Sequence, residues 1–173
     1  MVLNREEIEK LIKENNLIEG FINLEKQITP NGFDLTAASI AEFVGSGALD
    51  FSNQERVLAP EKIIKPLKRN IDDKFGWWNL KNGSYKITPN EICTLPKDLL
   101  GIAFPRSSLL RMGAFTQTGV WDAGFSGKSE FILVVKNKNG IKLKQNARIV
   151  QLVFMRINET KQGYAGIYQK RRK

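Results

Sequence analysis

From residue 20 onward this chain never runs far without a Gly, Pro or Asn, and the apolar segments between those breaks are short. Phe33–Leu35, Ile40–Val44, Tyr85–Ile87, Leu99–Phe104, Phe131–Val135, Ile141–Leu143 and Ile149–Phe154 are such segments. Stretches of that length suit strands rather than helices of three or four turns, and no helical pattern alternates with them as a βαβ layout requires. The spacing predicts a mainly β domain, a sandwich or a barrel. Asn137-Lys138-Asn139-Gly140 is expected to join Phe131–Lys136 to Ile141–Lys144 as a hairpin, with Gly140 free to take positive φ. Residues 45–56 read as an exposed loop, and Trp77 and Trp78 as core or interface packing.

One helix is expected, over residues 4–19. Asn4 is a suitable N-cap, Glu6 and Glu7 occupy the first turn, and Ile8, Leu11 and Ile12 follow helical spacing. Leu3 can staple onto Ile8, and Gly20 is a natural stop. With 173 residues and no linker or repeat, the chain is expected to be one domain, residues 1–173. Residues 1–20 form its helical start and residues 160–173 its tail.

Composition removes many chemistries. There is no histidine, so Ser-His-Asp and Cys-His nucleophile systems and His-ligated zinc are excluded. The single cysteine, Cys93, excludes an internal disulfide and fits a reducing compartment. No apolar run approaches a membrane span, and the polar N-terminus lacks the core of a secretory signal, so a cytoplasmic location is expected. The 27 basic and 18 acidic residues leave a charge of +9, which suits a polyanion. The motifs favour a triphosphate over nucleic acid.

Pro105-Arg106-Ser107-Ser108 sets a guanidinium fork beside two short hydroxyls, a good match for phosphate oxygens. A short way on, Asp122 stands between the glycines of Gly119-Val120-Trp121-Asp122 and Gly124-Phe125-Ser126-Gly127, which read as a tight hairpin. Asp34 lies in Gly32-Phe33-Asp34-Leu35, and Gln151 in the segment Arg148–Phe154. Singly, each has a plain reading as a turn residue, a solvated arginine or a sheet-edge amide.

In this order and at this spacing the four motifs resemble those of the dUTPase / dCTP deaminase superfamily. The likeness extends to Thr94-Leu95-Pro96-Lys97-Asp98-Leu99, to Arg111-Met112-Gly113 and to the ending with Tyr164, Tyr168 and Gln169. It is closest to archaeal-type dUTPases of the dCTP deaminase-like branch, and residues 43–80 match least. The resemblance implies a distorted β-barrel, jelly-roll-like, assembled as a homotrimer with inter-subunit sites, and a deoxynucleoside triphosphate substrate carrying Mg²⁺. Carried over by position, Asp122 directs the water, and Arg106, Ser107, Ser108 and Gln151 hold phosphates. The backbone of Gly119 and Val120 reads the base, Thr118 contacts substrate, Phe125 packs on deoxyribose, and Asp34 acts on the hydrated ion or the site arginines. Arg111 contacts substrate or supports the loop. Tyr164 or Tyr168, with Gln169, is expected to close over the nucleotide, and the last basic residues to reach the triphosphate.

The reaction turns on one position. Deaminases of this kind carry a glutamate five residues after the final Gly of the 119–127 motif, where this chain has Ile132. Glu130 lies two residues earlier on the same strand face, about 7 Å away at 3.3 Å per residue, beyond hydrogen-bond reach without a bulge. The expected activity is therefore hydrolysis of dUTP to dUMP and pyrophosphate. A dCTP deaminase or bifunctional enzyme is the alternative, and a non-enzymatic nucleotide- or nucleic-acid-binding protein is a third reading, against which Asp122 argues.

Overall fold

The computed structural model describes residues 1–171, so Arg172 and Lys173, part of the basic end expected to reach the triphosphate, lie outside the described residues. Helix α1 (Arg5–Asn15) begins with a capping box. The Asn4 side chain accepts from the Glu7 N–H, and the Glu7 carboxylate accepts from the Asn4 N–H. Leu3 and Ile8 are fully buried. The helix stops before the expected Gly20, because Asn16 enters the left-handed region at φ 53 and its N–H bonds to the Leu11 carbonyl. Gly20 instead turns the chain under Asn90, whose carbonyl oxygen would lie 2.9 Å from any added Cβ.

Next come β1 (Ile18–Glu19), α2 (Leu24–Gln27), β2 (Ile28–Thr29), β3 (Gly32–Phe43), β4 (Glu61–Ile63), β5 (Trp77–Leu80), β6 (Gly83–Pro89) and β7 (Ile92–Thr94). They are followed by β8 (Leu99–Pro105), α3 (Ser107–Arg111), β9 (Ala114–Gln117), β10 (Ser126–Gly127), β11 (Phe131–Val135), β12 (Ile141–Lys144) and β13 (Arg148–Arg156). The main sheet runs β8-β13-β3-β6-β11-β9, with β2 and β4 also on β3. Its end strands β8 and β9 come into contact, so the sheet nearly closes into the expected barrel. The smaller sheets β1-β7-β10 and β12-β5 complete the fold.

Two features aim the site residues. Phe33–Leu35 and Ile40–Val44, separate in the sequence reading, belong to one long strand that changes partner midway. The Phe33–Thr36 part of β3 pairs with β13 and the Ala37–Glu42 part with β6, with a register shift at the change on β13 (Arg148/Val150) and on β3 itself (Ala37/Ser39). The last strand, β13, sits between β3 and β8. Inward residues alternate along the strands, as in Phe131, Leu133 and Val135 of β11, and the buried side chains make one core cluster. Trp78 is fully buried in it and donates its indole N–H to the Ile64 carbonyl at 2.8 Å.

Two expected hairpins are corrected. The turn Asn137–Gly140 exists, closed by Gly140 N–H to Asn137 C=O at 2.9 Å with Gly140 at φ 73. Its flanking strands diverge, however: β11 pairs with β6 and β9, whereas β12 pairs with β5. The N–H groups of Lys136 and Asn137 both bond to the Gly113 carbonyl, which draws the chain round a corner. Likewise, residues 119–127 turn at Asp122–Phe125, but Trp121 bridges to Gly101 and β10 pairs with β7. Two turn arms with different partners make a strap between sheets.

Candidate active site

The predicted residues fall into two groups. At the first, β8 ends in Pro105, and Arg106 stays extended (φ −65, ψ 143) before α3 begins. Its N–H bonds to the Ile149 carbonyl beside the bulge in β13. Asp34 on β3 stands opposite Gln151 on β13. It is 1% exposed. Its Oδ2 lies 2.9 Å from Arg106 Nε and 3.3 Å from Arg148 Nη1. Neither contact is aligned as a hydrogen bond, so among the described residues this oxygen has charge partners but no hydrogen-bond donor. Burial pushes the Asp34 carboxyl up, while the two guanidiniums pull it back.

Gln151 Nε2 donates to Thr29 Oγ1 at 2.8 Å. Ser107 and Ser108 point into solvent at the start of α3. Arg111 ends α3, exposed, and makes no ion pair among the described residues. Arg148, quoted in the fourth motif but given no separate role, proves to be the second guanidinium on Asp34. The signal was its place at the end of the segment holding Gln151.

The second group lines a cleft of about 480 Å³. Gly119, Val120, Trp121 and Phe125 supply one side, Tyr164 and Tyr168 another. Among the described residues, the backbone groups of Gly119 and Val120 make no hydrogen bond, and nothing lies within 4 Å of a Cβ built on Gly119. A flat ligand edge can therefore meet main chain there. Phe125 is held by its carbonyl, which accepts from Leu95 N–H at 2.8 Å, and its ring meets Tyr164 edge to face. Thr118, half-buried, precedes this stretch.

The tail is folded onto the strap. Tyr164 N–H bonds to the Ala123 carbonyl at 2.8 Å, and Lys170 N–H to the Ser126 carbonyl. Gln169 Oε1 accepts from Ser126 N–H at 2.8 Å, and its Nε2 donates to the Gly124 and Tyr164 carbonyls at 2.9 and 3.2 Å. The Gln169 amide is thus committed to the backbone. Gly124 makes the close approach possible: it sits at φ 81, and a Cβ would stand 2.8 Å from Gly163 Cα.

The charged wall of the cleft is a chain of ion pairs the motifs gave no sign of. Lys86 on β6 pairs with Glu61 and, at 2.9 Å, with Glu130, whose other oxygen lies 3.1 Å from Arg171 Nη1. Ile132 lies opposite Lys86 and Gln117 on the exposed face of β11, 37% accessible, and does not line the cleft.

Asp122 is exposed; its carbonyl closes the turn to Phe125, and its side chain has no partner among the described residues. Neither Asp122 nor the Arg106-Ser107-Ser108 group lines the cleft. One chain thus carries a base-sized cleft and a phosphate-suited cluster in separate places.

Residues 2–157 match the dCTP deaminase-like family. The probable deoxyuridine 5′-triphosphate nucleotidohydrolase of Methanosarcina mazei is 49% identical over 170 residues, 97% of this chain and 96% of that one. The probable enzyme of the same name from Archaeoglobus fulgidus is 44% identical over 168 residues, 97% and 95% of the two chains. The deoxyuridine 5′-triphosphate nucleotidohydrolase of Methanocaldococcus jannaschii is 37% identical over 152 residues, 87% and 93%. Among solved structures, the 2′-deoxycytidine 5′-triphosphate deaminase of Agrobacterium tumefaciens superposes with a TM-score of 0.63 at 21% identity. That match covers 91% of this chain and 48% of the larger protein, and it shows a common fold. By sequence match along nearly its whole length, the chain belongs to the dCTP deaminase-like family.

Proposed function

We propose that this protein hydrolyses dUTP to dUMP and pyrophosphate. The observation that carries the reading is near-full-length similarity, up to 49% identity, to proteins named deoxyuridine 5′-triphosphate nucleotidohydrolases. The open backbone at Gly119 and Val120 suits a uracil edge, and Phe125 in the same cleft suits a deoxyribose face. Thr118 and Arg111 are assigned as flanking substrate contacts.

Asp122 orients a water against the α-phosphorus and takes its proton. The new P–O bond forms as the bond to the β-phosphate oxygen breaks, and pyrophosphate leaves. Arg106, Ser107, Ser108 and Gln151 hold the phosphates in line. Among the described residues no group of three acids or cysteines is placed to cage a metal. That suits Mg²⁺ brought on the triphosphate and still largely hydrated, with Asp34 acting through Arg106 or water. Such an ion would neutralise charge developing on the leaving group.

Because cleft and phosphate cluster are apart in one chain, we assign the complete site to two subunits of a homotrimer. Tyr164 and Tyr168 close the nucleotide in from the tail side. Deamination of dCTP is favoured only by Glu130 in the cleft, and that carboxylate is already engaged by Lys86 and Arg171.

The test is incubation with dUTP and dCTP plus Mg²⁺ and chromatography of products; dUMP and pyrophosphate without ammonia support the reading, and dUTP left intact overturns it. Mixing inactive Arg106→Ala with inactive Asp122→Asn should restore turnover if the site is shared between subunits, and should restore none if it is not.

A further inference from the structure

Glu91 is fully buried in the stretch between β6 and β7 and has no ion pair among the described residues. A carboxyl in such a place is costly unless its oxygens are well supplied with donors. Here Oε2 accepts from the Thr36 N–H at 2.9 Å, and Oε1 accepts from the Thr36 hydroxyl at 2.6 Å and from Gln27 Nε2 at 2.7 Å. The same Gln27 nitrogen donates to the Asp34 carbonyl at 2.9 Å, and Gln27 Oε1 accepts from the N–H groups of Ile22 and Asn23. Asn90 adds a bond to the Thr36 hydroxyl at 2.8 Å and, through its own N–H, one to the Thr36 carbonyl at 3.0 Å.

The network grips β3 on both sides of Leu35, where the strand leaves β13 and joins β6. Thr36 is held at its backbone and its side chain together, which leaves it little freedom in ψ or χ1. Asp34 lies two residues earlier, so its carboxylate leaves the strand on the same face as the Thr36 side chain. Among the described residues its Oδ2 accepts no hydrogen bond and is held by charge alone. The aim of Asp34 at Arg106 and Arg148 therefore depends on where β3 is fixed.

We propose that Glu91 is a positioning residue, which by clamping Thr36 and, through Gln27, the Asp34 backbone, aims the Asp34 carboxylate at the phosphate-binding arginines. The kinetic part of this rests on the dUTP hydrolase reading; the coupling between Asp34 and Arg106 does not.

Two measurements test it. The first needs no substrate: thermal midpoints are read for Asp34→Asn, Arg106→Gln and the double variant, with Glu91 and with Gln in its place. The Asp34 and Arg106 effects should be non-additive beside Glu91 and additive beside Glu91→Gln. The second reads turnover below the melting range. Glu91→Gln should lower kcat for dUTP by about tenfold or more with KM within about threefold, and adding Asp34→Asn should cost no more than about a further twofold. Should Glu91→Gln not fold, Thr36→Val replaces it in both measurements, with Thr36→Ser, which keeps the hydroxyl, restoring wild-type behaviour. Unchanged Asp34–Arg106 coupling, or kinetic losses that simply multiply, would overturn the role. A wild-type protein inert towards dUTP defeats the hydrolase reading, and the thermal cycle then decides Glu91 alone.

Discussion

Tyr164 meets Phe125 edge to face, with ring centroids 5.5 Å apart and planes at 75°. The tail and the strap thus form one aromatic corner of the cleft. An edge-on pair of this kind contributes about 0.5–1.5 kcal/mol beyond its buried area. Tyr164→Ala should raise KM for dUTP by about three- to tenfold, and Tyr164→Phe should leave it near wild type. Steady-state kinetics read both, and truncation after residue 162 should reproduce the Tyr164→Ala effect or exceed it.

Asp122→Asn should lower kcat by about a hundredfold or more, the range for a group that handles the proton of an attacking water. Asp122 is exposed and its side chain bonds to nothing in the described chain, so the thermal midpoint should not move. Pyrophosphate release and a melting curve on the same preparation separate the two effects.

Gly124→Ala should disturb the tail from a distance. The new methyl would sit at φ 81 and 2.8 Å from Gly163 Cα, so both backbone strain and a clash oppose it. A cost of about 1–3 kcal/mol in stability is expected. Tryptic cleavage near Lys161 should become faster than in wild type, because the tail is what gives way.

Glu91 should leave a mark on the pH dependence of stability. Burial raises its carboxyl above the ordinary value, with the Thr36 and Gln27 hydrogen bonds pulling the other way. An acid with a raised folded pKa holds its proton more tightly folded than unfolded. Its contribution is therefore greatest at acid pH and falls as pH rises from the ordinary glutamate value through the raised one. The nearby Cys93 thiol is itself pushed up, by burial and by Glu91, and stays protonated throughout. Glu91→Gln should melt lower overall, yet lose less stability than wild type across that window, as a pH series of thermal melts would show.

Strand positions were legible in the sequence wherever apolar residues alternated, as at Phe131–Val135, because burial of one face leaves that trace. Partners were not. Nothing local in Asn137–Gly140 says that its two strands join different sheets; that is decided by the Gly113 carbonyl, distant in sequence. Site residues carried by ordered motifs, such as Asp34 and Gln151, appear across from one another as neighbours on β3 and β13. Lys86, Glu61 and Glu91 were silent, since each is an ordinary charged residue until the fold supplies its partner. Asn16 showed the opposite: a residue able to adopt positive φ ended the helix before the glycine did.

The insertion of β13 between β3 and β8 bears on how the chain is made. Synthesis delivers β3 and β8 first, each with an open edge waiting for a strand that leaves the ribosome after both. Until residue 156 is out, those two edges can recruit one another or a second chain, and pairing over such separation in sequence is slow. The barrel is finished by β13, so the cluster of Asp34, Arg106 and Arg148 comes into being at the same moment as the fold.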